Sequence, residues 1–347
     1  MTDTHIRTQG KAGRITLDRP DALNALTLPM CHAIEAALDQ WADDEAVKLV
    51  IIDGAGDKAF CAGGDIQEMY DAGTRGDFSY GDRFWRDEYR MNAKLFNFPK
   101  PVVTFLQGFT MGGGVGVGCH GSHRIVCEGS QIAMPEVSIG LVPDVGGSLI
   151  LARAPGRLGE YLGLTADRMD SADAIYAGFA DYYIPRDYWN SLILTLAKTG
   201  DWTAIDALAK PPKDSRLAGW QDDIDAVFGG ATLGDIYRAM PDDLPPALAH
   251  AVKLMGRHSP LSLCATVGLV HKVRSADTIE AALDQEFRFT SRAMDRGDFV
   301  EGIRAAIIDR DRAPNWRHDS WSSVSGADVL AMTYPTDPPL DLTGPQT

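Results

Sequence analysis

Apolar positions in the first half of the chain alternate between short unbroken runs and helical spacings. Residues 14–17, 49–52 and 102–106 read as strands, the last two almost wholly apolar. Ile34, Leu38 and Trp41 recur with helical period, so a helix runs over about 27–42, with Thr27 as N-cap and Pro29 in the tolerated first turn. A second helix begins over 66–70. Across 80–98, Phe84, Glu88, Met91 and Leu95 fall at i, i+4, i+7 and i+11, on one helical face. Glu88 therefore sits inside an apolar stripe, where a lone glutamate is costly to bury unless it is paired, protonated or used. A helix over about 113–120 follows the third strand, and 124–127 and 131–134 read as two further short strands. From Ser148 onward the pattern is mostly helical, through 156–164, 171–177 and amphipathic stretches to about Asp311. Strands alternating with helices early, and helices late, predict an α/β core followed by a helical C-terminal region.

Two glycine-rich turns interrupt this pattern, each after a strand and each leading into a helix. They are Phe60-Cys61-Ala62-Gly63-Gly64-Asp65 and Met111-Gly112-Gly113-Gly114-Val115-Gly116. Glycine lets a backbone approach a ligand closely and adopt positive φ without steric cost. Free N–H groups and the dipole at a helix start favour negative charge. Two such turns are able to aim two N–H groups at one oxygen, the construction of an oxyanion hole, which suits a carbonyl that gains negative charge during reaction.

Length and charge narrow the classes. With 347 residues the chain is long enough for one large domain or two modest ones. A formal net charge of −15 argues against general nucleic-acid or anionic-membrane binding, though not against one anionic small molecule. The five cysteines are widely spaced, odd in number and form no CxxC pair, a poor framework for disulfides or zinc. The first ten residues carry no apolar signal-peptide core, and no window reaches the ~18 apolar residues of a membrane span. These features point to a reducing cytoplasmic compartment.

Past the second glycine turn stands Met134-Pro135-Glu136-Val137-Ser138-Ile139-Gly140-Leu141-Val142-Pro143-Asp144-Val145-Gly146-Gly147. It holds two carboxylates eight residues apart, each preceded by proline and followed by apolar residues. A loop folded back over the glycine turns would set Glu136 and Asp144 beside a bound carbonyl, one as general base or nucleophile and the other as orienter or acid. Weaker signals have blander readings. Gly116-Val117-Gly118-Cys119-His120-Gly121 matches a GxGxxG dinucleotide fingerprint, but falls within an expected helix rather than at its start. His120 and His123 lack a third ligand beside them and read as packing residues.

With Lys58-Ala59 before the first turn, Gly108-Phe109-Thr110 before the second, and Phe299-Val300-Glu301-Gly302-Ile303-Arg304-Ala305 and Ile308-Asp309-Arg310-Asp311 near the C-terminus, the chain resembles the crotonase (enoyl-CoA hydratase/isomerase) superfamily. Within it the closest likeness is to the 3-hydroxyisobutyryl-CoA hydrolase branch, over roughly residues 13–317. The resemblance implies a crotonase-like spiral of ββα units over 1–190 carrying an acyl-CoA site, a helical region over 191–333, and a loose tail over 334–347. It implies that the Gly64 and Gly113 N–H groups polarise a thioester oxygen, that Glu136 and Asp144 are catalytic, and that Glu88, Gly113, Glu136 and Asp144 contact substrate. Enoyl-CoA hydratases hold water between two glutamates. This chain has Gly116 at the first of those positions, and Asp144 where they typically have glycine, which favours thioester hydrolysis over hydration.

The expected reaction is hydrolysis of a short 3-hydroxyacyl-CoA, 3-hydroxyisobutyryl-CoA foremost, as in valine breakdown, with no metal or redox cofactor; coenzyme A belongs to the substrate. The C-terminal helices would cover the core or a neighbouring subunit, which leaves a homo-oligomer open. The alternatives are an enoyl-CoA hydratase/isomerase and a non-catalytic acyl-CoA-binding scaffold.

Overall fold

The computed structural model describes residues 3–343. By internal contacts the chain divides into two units. One runs through Gly64, takes in Arg90–Ala133 and closes with Arg168–Arg216; the other holds Asp65–Tyr89, Met134–Asp167 and the chain from Leu217 on.

Among the described residues nine strands build the first unit: β1 (Thr4–Gln9), β2 (Ala12–Leu17), β3 (Leu49–Gly54), β4 (Ala59–Cys61), β5 (Val102–Leu106), β6 (Phe109–Met111), β7 (His123–Val126), β8 (Gln131–Ala133) and β9 (Tyr182–Tyr183). They form a six-stranded sheet of order β1-β2-β3-β5-β7-β9 and a three-stranded sheet of order β4-β6-β8. Of the described strand pairs, β1–β2 is antiparallel and the rest are parallel. The pairs β3–β4, β5–β6 and β7–β8 each send one strand to each sheet and are followed by helical segments. This is a spiral of repeating ββα units.

Leu49 and Ile51 of β3, Val103 and Phe105 of β5 and Ile125 of β7 share one face, packed with Trp189, Leu192 and Leu196 of the Trp189–Thr199 helix. Val50, Ile52 and Val102, which point the other way, are buried as well. A parallel sheet covered on both faces needs such unbroken apolar runs. Helix α1 (Leu28–Ala42) begins as its sequence predicts, with the Thr27 hydroxyl accepting the Met30 N–H at 3.4 Å and Pro29 in the first turn.

The second unit is helical. It contains α2 (Ile66–Thr74), the part of α3 (Ser79–Phe96) up to Tyr89, α5 (Gly147–Arg153), and long helices Pro260–Ala276 and Ile279–Arg296 that pack on each other and on α5. Helix α4 (Gly113–Gly118) belongs to the first unit.

Four strands lie where the hydrophobic pattern places none. β1 is polar and partly exposed, and exists because β2 supplies its hydrogen bonds. β4 and β6 run into residues that read as glycine turns, and β9 is two residues long; all three pair only with strands distant in sequence. At the C-terminus, Arg86 donates to Pro339 O at 2.9 Å and Arg292 to Tyr334 O at 2.9 Å, so carbonyls of the expected tail have side-chain donors. Residues 344–347 of that tail lie outside the described residues.

Candidate active site

In the first unit the two glycine turns pack against each other. β4 and β6 pair in parallel, and the chain beyond each bends sharply, with φ 118° at Gly63 and 52° at Gly112. A Cβ on Gly114 would collide with the Cys61 carbonyl oxygen, and one on Gly63 would lie 3.4 Å from Met111 O. A side chain at Gly114 would force the turns apart, while Gly63 is held to glycine by its φ of 118°. Gly63 O accepts the Leu26 N–H at 2.9 Å within a parallel bridge between Leu26 and Gly64. In that pattern Gly64 directs its own N–H away from the bridge partner. Gly113 is the first residue of α4, where an N–H has no intrahelical acceptor. Both N–H groups assigned to the oxyanion are thus left out of the regular pairing. Four glycines in the six residues of α4 oppose helix formation; full burial of Val115 and Val117 makes tertiary packing the reason it forms.

The GxGxxG match is not a phosphate loop. Gly116 is the fourth residue of α4, and its N–H already faces Gly112 O at 3.3 Å, as the Cys119 N–H donates to Val115 O at 2.7 Å. His120 packs edge-on against Phe96, ring centroids 5.7 Å apart.

The carboxylates gather in the second unit, from three separate stretches. Glu88 on α3, Glu136 at the start of a short 3-10 helix (Glu136–Ile139) and Asp144 ahead of α5 are each at most 4% exposed. The Tyr89 hydroxyl donates to Asp144 Oδ2 at 2.8 Å, and its oxygen lies 3.3 Å from Thr290 Oγ1. Glu88 Oε1 and Glu136 Oε2 are buried with no hydrogen-bond partner among the described residues. Burying a polar oxygen in this way costs free energy unless a ligand or water satisfies it.

Electrostatics follow from this crowding. Burial, then the neighbouring Asp144 and Glu286, pushes the Glu88 carboxyl well above its usual range. Burial and then Asp144 do the same to Glu136. Asp144 is pushed up to about 7 by burial, against the Tyr89 hydrogen bond that favours its charged form. Glu286, fully buried on the Ile279–Arg296 helix, is pushed up to about 8, again chiefly by burial. Four like charges in an apolar setting do not all ionise together, so the cluster keeps protons near neutral pH. Acid and base forms are available in one place, as acyl-transfer chemistry requires.

The structure brings Glu88, Glu136 and Asp144 together in one unit, and Gly64 and Gly113 together in the other. Sequence reasoning missed Tyr89 and Glu286. For Glu286 a signal exists: Ile279, Leu283, Glu286, Thr290 and Ala293 recur at helical spacing on a buried face, so this glutamate breaks an apolar stripe as Glu88 does. Tyr89 shows none, because a buried tyrosine beside apolar residues looks like core.

Residues 12–333 match the family described as enoyl-CoA hydratase/isomerase. A mitochondrial 3-hydroxyisobutyryl-CoA hydrolase of Xenopus laevis is 38% identical over 327 residues, spanning 91% of this chain and 84% of that protein. Its counterpart of the same name from Homo sapiens is 35% identical over 332 residues, spanning 92% and 86%. Among solved structures, an enoyl-CoA hydratase from Rhodobacter sphaeroides superposes with a TM-score of 0.92 at 50% identity, covering 98% of this chain and all of that one. A carnitinyl-CoA dehydratase from Mycobacterium thermoresistibile gives a TM-score of 0.94 at 39% identity, covering 99% of this chain and all of the other. The chain belongs to the enoyl-CoA hydratase/isomerase family and has the crotonase fold.

Proposed function

We propose that this protein hydrolyses the thioester of a short 3-hydroxyacyl-CoA, 3-hydroxyisobutyryl-CoA foremost. The observation that carries the reading is the buried trio of Glu88, Glu136 and Asp144, two of which keep an oxygen unpartnered among the described residues. Full-length similarity to proteins named for that hydrolysis supports it.

In the proposed reaction the Gly64 and Gly113 N–H groups take the developing oxyanion, each donor contributing about 3 kcal/mol in the transition state. Glu136 removes a proton as water adds to the thioester carbon. The tetrahedral intermediate collapses, the C–S bond breaks, and the leaving coenzyme A thiolate receives that proton from Glu136. Direct attack by Glu136, with hydrolysis of the resulting anhydride, gives the same products. Glu88 and Asp144 bind the substrate hydroxyl or assist proton transfer. This chemistry calls for no metal or redox group. Valine breakdown is the setting in which such a substrate arises. We place the chain in the cytoplasm on its cysteine pattern; no helix among the described residues is long and apolar enough to cross a membrane. The curated relatives are themselves named as mitochondrial.

A second reading, reversible hydration of an enoyl-CoA, is favoured by the names of the two superposed structures. One experiment separates them: thiol release from a panel of short acyl-CoA esters, with Glu136→Gln and Asp144→Asn beside the wild type. The proposal expects rapid release from 3-hydroxyisobutyryl-CoA and a loss of about 10²- to 10⁴-fold in Glu136→Gln. Near-normal release by Glu136→Gln removes that residue from the mechanism. Interconversion of enoyl- and 3-hydroxyacyl-CoA without thiol release makes the protein a hydratase.

A further inference from the structure

Asp144 is presented by a backbone that its own sequence disfavours. Val145 has φ 54° and Gly146 φ 77°, two successive residues in the left-handed region. A β-branched residue is a steric outlier there and persists only where its surroundings enforce the conformation. The Gly147 N–H closes the turn onto Asp144 O at 2.7 Å. Helix α5 then begins behind Gly146, which has no side chain to cap it.

The cap comes from another helix. Glu286, fully buried, accepts the Gly146 N–H on Oε2 at 2.8 Å, the Ser148 N–H on Oε1 at 3.1 Å, and the Ser148 hydroxyl. It grips the chain on both sides of Gly147, directly after the strained valine. One turn further along the same helix, Thr290 Oγ1 stands 3.3 Å from the Tyr89 hydroxyl oxygen that donates to Asp144 Oδ2. A single helix face thus bears on Asp144 twice, through the backbone of Gly146 and Ser148 that follows it and through the Tyr89 hydroxyl that holds its carboxylate.

We propose that Glu286 is a positioning residue: by clamping Gly146 and Ser148 it holds Val145 in the left-handed conformation and so sets the Asp144 carboxylate for thioester hydrolysis. The inference rests on the reading of Asp144 as part of the hydrolytic machinery. Ionised or protonated, the acid keeps acceptor capacity on both oxygens; glutamine at 286 has one acceptor oxygen, so its amide NH₂ must face one of the two backbone N–H groups and the clamp opens on that side. Valine released from the clamp relaxes toward ordinary φ and carries Asp144 with it. Glycine at 145 populates positive φ without strain and depends less on the clamp.

The test is steady-state thiol release from 3-hydroxyisobutyryl-CoA by the full-length wild type, Glu286→Gln, Val145→Gly, the double variant, Ser148→Ala and Asp144→Asn. Folding of each variant is checked by circular dichroism. Glu286→Gln is expected to lower kcat about ten- to a hundredfold with KM within about twofold, because a small misplacement of a reacting group costs turnover rather than binding. The double variant is expected to recover about threefold or more of that loss, which a merely structural glutamate would not allow. Ser148→Ala, which keeps the acid and both backbone bonds, is expected to lower kcat by about threefold, and it carries the test if Glu286→Gln does not fold. Unchanged kcat in a folded Glu286→Gln, or in Ser148→Ala when that variant stands in for it, overturns the inference. So does a loss that Val145→Gly leaves untouched. Wild-type turnover by Asp144→Asn removes the assignment of Asp144 and this inference with it. An inactive Asp144→Asn beside a normal Glu286→Gln removes the inference alone.

Discussion

Tyr89 and Asp144 meet in the hydrogen bond that decides how readily this acid ionises. Burial raises the Asp144 carboxyl and the Tyr89 hydroxyl, at 2.8 Å, works against it, leaving Asp144 at about 7. Glu88 and Glu136 each keep an oxygen without a donor among the described residues and stay well above their usual range. Replacing Tyr89 by phenylalanine removes the donor to the charged form, so the Asp144 proton affinity rises. The acidic limb of kcat/KM for thiol release is expected to move to higher pH in Tyr89→Phe, measured between about pH 5 and pH 9. A limb that stays in place would show that ionised Asp144 does not govern turnover. Glu88 was legible in the sequence because a charge in an apolar stripe is conspicuous. The Tyr89 contact was not, since its acceptor lies 55 residues away.

Between elements, the decisive fit is that of β4 against α4. Gly114 lies against the Cys61 carbonyl, so Gly114→Ala must push the second glycine turn away from the first. Overpacking of this kind costs about 1–3 kcal/mol. Because the displaced backbone carries Gly113, thiol release is expected to fall further than the drop in Tm accounts for. Parallel thermal melts and turnover of Gly114→Ala check this, and normal turnover in a destabilised variant would separate the turn from catalysis. The glycines announced a close approach in the sequence. What they approach came only with β4 and β6, three-residue strands too short to show a period.

The whole molecule carries the cost of its acids as a dependence of stability on pH. Glu286 binds its proton with a folded pKa of about 8 against an ordinary 4.5, and Asp144 with about 7 against 3.8. Unfolded, both groups release that proton near their ordinary values, so the folded state holds more protons between the two limits. Their contribution is fully present below about pH 4 and is lost as pH climbs through the folded values. Wild-type Tm is therefore expected to fall between about pH 5.5 and pH 8.5. In Glu286→Gln that part of the slope is absent, so the Tm gap between wild type and variant narrows as pH rises. Melting curves across this range check it; a gap constant with pH would mean that Glu286 does not carry the proton.

The sequence by itself determined the strands β2, β3, β5, β7 and β8, the alternation of strands with helices, the two glycine turns, and the positions of the acids Glu88, Glu136 and Asp144. Each of these is written in local period or local composition, which a chain displays before it folds. The tertiary structure decided which strands pair into two sheets, why a glycine-rich stretch is a helix, and how Glu286, Tyr89 and Thr290 converge on Asp144. These depend on partners far away in sequence. A strand of three residues exists through the hydrogen bonds of its neighbours, and a carboxyl holds its proton through the burial that remote segments provide.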